Sequence, residues 1–321
     1  MKKIIVLFMI AVMTLMPISG VANLVNDDIK IINKSVENGI NVNLTHTILA
    51  EYFSTTTCPN CPSTSSQLYS IYHSSEYDFY YVTFVCNKIE ELPALAQIHL
   101  YSRLNELGVL YVPDVFFDGG YKEVEGRQQG ELPYKNAIEF SGTRDVPKVN
   151  IDLNVDWREG NTIEITGQIQ TNDSEFKGKV RIFITEIESH WKDQQGNNFH
   201  YAVLDIPVTK SLSALQITDS TQQNYQAQTY DSTYTITKRW SGDITKDNCM
   251  VLMSVFDRDT TYAVQTAAAK PVSTSYNELS YDHTDRTVFK GKTTLSESVW
   301  FDWLSQRFPY MFSLLRQYIG Y

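Results

Sequence analysis

The sequence predicts an α/β domain followed by an all-β sandwich and a short amphipathic helical tail. Three observations carry this reading. Strand-like and helix-like segments alternate from Thr47 to about Phe140. Strict two-residue alternation of apolar and polar residues takes over near Pro147. From Thr294 onward the large apolar side chains recur at helical spacing. The chain has 321 residues, enough for about two domains at the usual ~150 residues each.

In the first region, Ile48 to Phe53 is an apolar strand, broken by Ser54 to Pro62, and Ser65 to Tyr72 looks helical. Phe79 to Val85 is rich in aromatic and β-branched residues and reads as a buried strand. Ala94 to Leu107 is a helix stopped by Gly108. Val112 to Phe117 is a strand, Asp118-Gly119-Gly120 a turn, Tyr121 to Val124 a return strand and Glu131 to Phe140 a closing helix.

In the second region Val149, Ile151, Leu153, Val155 and Trp157 alternate with polar residues, as do Ile163, Ile165, Gly167 and Ile169. Val180 to Ile184, Ala202 to Val208, Tyr230 to Thr237 and Met250 to Phe256 are further strands. One buried and one wet face per strand suits an immunoglobulin-like antiparallel sandwich. The boundary falls at about 145, giving domains at 23–145 and 146–271, then a polar linker and helical tail over 272–321.

Lys2 and Lys3, the apolar run from Ile4 to Met16 and the small residues Gly20-Val21-Ala22 read as a secretory signal peptide over 1–22. Export places the chain outside the cytoplasm (secreted, periplasmic or cell-surface), where disulfides persist. Asn33, Asn43 and Asn172 begin glycosylation triplets. The formal charge of −10 argues against a nucleic-acid partner, whose phosphates demand Lys and Arg. The composition of 42% apolar and 12% aromatic residues excludes wholesale disorder. In the tail, Thr294 and Glu297 fit a capping box, and Trp300, Trp303, Leu304, Phe308, Met311, Leu315 and Tyr318 share one helical face. That face packs on the protein itself or contacts a membrane surface or partner.

The sharpest chemical signal is Cys58-Pro59-Asn60-Cys61, after a strand and before a helix. At a helix N-terminus the unpaired N–H groups and the dipole favour a thiolate, the species that attacks a disulfide. Cys58 is the candidate nucleophile and Cys61 the resolving thiol. Metal knuckles share the spacing, but Cys86 and Cys249 stand alone and far apart, so no metal site is expected. Cys86 is a third redox thiol or a small buried hydrophobe, and Cys249 carries the second reading. No cofactor is implied; there is no Gly-rich phosphate loop. Val112-Pro113 precedes a strand, where Pro would remove a ladder hydrogen bond. Either a cis Val112-Pro113 bond presents the Val112 backbone to an incoming peptide, or Pro113 is a plain trans residue at a strand start.

The stretches AEYFSTTTCPNCP and GVLYVPDVFFDGG, with the helix after the first, resemble the thioredoxin-like family. They are most similar to exported, outer-membrane-related members that carry a C-terminal β-sandwich. Over about 45–142 the resemblance rests on specific motifs; beyond that it rests on NNFHYAVLDI and MVLMSVFDRDTTYAVQTAAA. It implies a Cys58–Cys61 redox pair, a cis Pro113, and partners that are protein thiols or disulfides together with a redox partner. It also implies a buried acid on the strand before the motif, for which Glu51 is the candidate: it is a proton shuttle, or a solvated or hydrogen-bonded strand residue. Tyr52 occupies the position of an ungapped match, and a one-residue slip sends Glu51 to the opposite face. Pro62 directly after the second Cys departs from the family pattern. The function expected is thiol–disulfide oxidoreduction; the alternative is a non-enzymatic surface or adhesion module with a structural Cys58–Cys61 bridge.

Overall fold

A computed structural model describes residues 43–173, 175–212, 216–217 and 232–273. The chain divides into two units, Met1–Thr274 and Ser275–Tyr321, and the described residues all belong to the first. The expected signal peptide over 1–22, the Asn33 triplet and the amphipathic tail lie outside the described residues.

The elements in order are β1 (Ile48–Ser54), α1 (Cys61–Ser74), β2 (Phe79–Val85), a 3-10 turn (Cys86–Glu91), α2 (Ala94–Leu107), β3 (Asp114–Phe117), β4 (Lys122–Glu125) and α3 (Leu132–Gly142). Then come β5 (Val149–Arg158), β6 (Thr162–Thr171), β7 (Gly178–Lys192), β8 (Asn198–Ser211), β9 (Gln216–Ile217), β10 (Ser232–Ser241), β11 (Cys249–Asp257), β12 (Ala263–Ala269) and β13 (Val272–Ser273). The architecture is mixed α/β, mostly strands, in two sheets. Among the described residues no helix is long and apolar enough to cross a membrane.

The smaller sheet runs β13-β5-β6-β10-β9 and the larger runs β12-β11-β7-β8-β2-β1-β3-β4. Strands on both sides of residue 145 therefore share one sheet, although the position itself falls between α3 and β5. The join is the parallel pair Thr83↔Ala202, reinforced by the Thr83 hydroxyl donating to the His200 carbonyl at 2.7 Å.

This sharing changes what the second-half strands bury. β5 keeps the expected one-wet-face pattern, with Asn150 and Asn154 exposed. β7, β8 and β11 are covered on both faces. One face of β7 and β11 (Ile182, Ile184, Val251, Met253) packs into a core shared with the smaller sheet, and the other (Phe183, Met250, Leu252, Phe256) into a core shared with β1, β2 and the helices. Hence MVLMSVF is an apolar run interrupted only by Ser254 rather than an alternation, as expected of a strand with no solvated side.

Candidate functional site

β1 ends at Ser54, and the loop after it presents Cys58 just ahead of α1. Cys58 and Cys61 form a disulfide, Cα atoms 5.4 Å apart. Cys61 is the first helical residue, and its N–H donates to Cys58 Sγ at 3.1 Å. One backbone donor of the helix start is thus aimed at the first sulfur. Pro62 lies in the first turn of α1, where its missing N–H is one the helix would leave unpaired anyway. Its departure from the expected pattern costs the helix nothing and sets where it begins.

The structure brings Val112 and Pro113 to the same place. The Val112–Pro113 peptide is cis, and Cys58 Sγ lies 3.9 Å from the Val112 carbonyl oxygen. β3 begins at Asp114, so Pro113 sits outside the ladder, and the Gly126 N–H donates to its carbonyl at 2.8 Å. Cys58 is only 7% exposed and Cys61 is fully buried.

Glu51, the expected proton shuttle, is turned to the other face of β1. Adjacent strand residues face opposite sides of a sheet. It is Tyr52 whose hydroxyl donates to the Cys61 carbonyl at 2.9 Å. Burial pushes the Tyr52 phenol well above its ordinary range, so it stays a neutral donor. Glu51 is fully buried and accepts from Arg103, Nε to Oε1 at 2.8 Å and Nη2 to Oε2. Burial alone would lower the Arg103 pKa, but the charges of Glu51 and Glu106 outweigh it and the net shift is upward. Sequence reasoning missed Arg103. Its signal was available, since Arg103 shares the buried stripe of α2 with Ala96 and Leu100.

A second missed residue is Asp114, directly after Pro113. It is buried, its Oδ1 has no hydrogen-bond partner, and it aligns with Phe53 of β1 and Glu125 of β4. Burial first, then the neighbouring carboxylates Glu123 and Glu125, push its carboxyl up to about 7.

Cys86 and Cys249 are free thiols. Burial pushes Cys86 up to about 11 and Cys249 up to about 12, so both stay protonated near neutrality. That favours the small buried hydrophobe over the third redox thiol.

No family model matches the sequence, and no curated protein matches it. Among solved structures, the chain is similar to HBP35 of Porphyromonas gingivalis at a TM-score of 0.57 and 13% identity, covering 77% of this chain and 81% of that one. A protein of Agrobacterium tumefaciens matches at TM-score 0.41 and 15% identity, over 71% of this chain and 96% of that one. A domain of the outer membrane lipoprotein Omp28 from Porphyromonas gingivalis matches at TM-score 0.22 and 15% identity, over 41% of this chain and 95% of that one. The likeness to HBP35 is one of fold; the other two are too distant to carry an argument.

Proposed function

We propose that this chain is an exported thiol–disulfide oxidoreductase, built as a thioredoxin-like α/β unit joined to an immunoglobulin-like sandwich. The observation that carries the reading is the setting of Cys58: a disulfide to the first residue of α1, the Cys61 N–H on its sulfur, and the Val112 carbonyl 3.9 Å away. When the pair is reduced, the same N–H and the helix dipole stabilise the Cys58 thiolate. That thiolate attacks one sulfur of a protein disulfide; a mixed disulfide forms and the other substrate sulfur leaves as a thiolate. Cys61, as thiolate, then attacks Cys58 Sγ and expels the second substrate thiolate. The two electrons of the Cys58–Cys61 dithiol have moved to the substrate, and a dithiol redox partner returns them. Val112, ahead of β3, offers its backbone to the substrate chain. Placement outside the cytoplasm rests on the leader-like residues 1–22.

The test is reduction of a protein disulfide by the reduced chain, compared with Cys58→Ala. Turnover that vanishes in the variant supports the reading, and equal rates end it. The second reading, a surface or adhesion module with a permanent bridge, is favoured by one observation, the 7% exposure of Cys58. It requires no turnover in either protein.

A further inference from the structure

A separate feature lies on the face of the large sheet that α2 covers. Register places Lys179 opposite Ser211 and Arg181 opposite Thr209 on the β7–β8 pair, with Phe256 of β11 opposite Lys179. Paired residues share a face, so these side chains converge on one side. Lys210, one step along β8, lines the same cavity. With Glu106 from α2 and Arg258 after β11, they line an open cavity of about 310 Å³.

The charge in this cavity is unbalanced. Arg181 is 3% exposed and donates through Nη2 to Glu106, yet its Nε has no hydrogen-bond partner. Glu106 is shared among Arg181, Lys179 and Arg103, and Arg103 also answers Glu51. The remaining acid, Asp257, has its Oδ1 turned to the N–H groups of Asp259 and Thr260. The exposed guanidinium of Arg258 makes no hydrogen bond or ion pair among the described residues. The guanidinium planes of Arg103 and Arg181 both lie 5.2 Å from the Phe256 ring, so two cations share one aromatic face partner. Burial, then the Arg103 charge, lowers the Arg181 pKa, and burial with Arg181 lowers that of Lys179. Positive charge is concentrated here beyond what the local acids neutralise, in a chain of formal charge −10. A buried or half-buried cation without full compensation is the setting in which an added oxyanion is most favoured.

The geometry points to a binding site for a small oxyanion, a phosphate, sulfate or carboxylate group, held by Lys179, Arg181 and Arg258 with the Thr209 hydroxyl beside them. The planar fork of each arginine suits two oxygens of such a group, and the lysine adds a point charge. The site is independent of the disulfide and uses none of its residues.

Inorganic phosphate, citrate and a phosphate monoester are each titrated into the full chain by calorimetry, with sodium chloride held at equal ionic strength. The comparison is a Lys179→Gln/Arg258→Gln variant, which keeps the Arg181–Glu106 pair and thus the fold. Saturable binding of at least one oxyanion, weakened tenfold or more in the variant, is expected. Binding of citrate but not of phosphate assigns the site to carboxylates. Preference for the monoester over free phosphate assigns it to an esterified ligand. Absence of saturable binding in the parent, or equal affinity in parent and variant, overturns the assignment. A thermal midpoint that rises with phosphate, citrate or the monoester in the parent and not in the variant gives the same answer without a calorimeter.

Discussion

Tyr52 and Glu51 sit side by side on β1 yet meet different surroundings. On the Tyr52 side, a neutral hydroxyl supports the Cys61 carbonyl at the start of α1, and the disulfide lies above it. On the Glu51 side, a buried chain of charges runs through Arg103 and Glu106 to Arg181. The contrast teaches that one strand separates two electrostatic regimes. The first has few charges and a sulfur addressed by a backbone donor. The second is a network in which Arg103 bridges Glu51 and Glu106, and Glu106 also answers Lys179 and Arg181. Charge near a redox sulfur would shift its thiolate, so keeping the network on the far face leaves Cys58 governed by the helix start.

The largest effect expected is in thiol reactivity. After reduction, Cys58 alkylates near neutral pH roughly 100-fold or more faster than Cys86 or Cys249, whose thiols are pushed up to about 11 and about 12. Mass mapping of the labelled peptides checks this, and comparable labelling of Cys86 would place the reactive sulfur elsewhere. Next, Glu51→Gln leaves Arg103 buried against a neutral amide and costs about 3–5 kcal/mol of stability, read from urea unfolding. The folded fraction keeps the disulfide-exchange rate of the parent. A selective loss of exchange at unchanged stability would join the two faces and restore a shuttle role to Glu51.

Asp114 sharpens the comparison through pH. It aligns with Phe53 and so shares the Glu51 side of β1. Its carboxyl is pushed up from 3.8 to about 7, so between about pH 4 and 7 the folded state holds a proton that the unfolded state has released. Stability therefore falls as pH rises through that window. Asp114→Asn removes this fall, and its gain in urea midpoint is larger at pH 8 than at pH 5; an equal gain at both would contradict the assignment. The smallest effect is on the other side. Tyr52→Phe removes one hydrogen bond to the Cys61 carbonyl and costs about 1 kcal/mol.

Much of this was legible in the sequence, and the failures have physical causes. Ala94 to Leu107 and Phe79 to Val85 were read to the residue because apolar content and terminators agreed. The strands β7, β8 and β11 were read as strands, but not as strands buried on two sides. Phe183 and Ile184, adjacent and both buried, point into different cores, and period alone cannot say that a second layer exists. At the candidate site, Cys58, Cys61, Val112 and Pro113 stand out in the sequence because Cys and Pro are chemically distinctive in any context, and the structure brings them together. The face of Glu51 is not legible, because a strand acid looks the same on either face until its partner is known, and that partner, Arg103, lies 52 residues away. Asp114 was read as an ordinary strand residue, since proximity to Glu123 and Glu125 arises only through the β3–β4 pairing.

The central claim is that the Cys58–Cys61 pair is poised for exchange because the helix start stabilises its reduced form. The reduction potential of the pair, measured at equilibrium against a glutathione buffer with Cys86 and Cys249 intact, tests it most directly. A value above about −300 mV, in the range of exchanging pairs, is predicted. A value well below that range would make the bridge a permanent structural one and contradict the account.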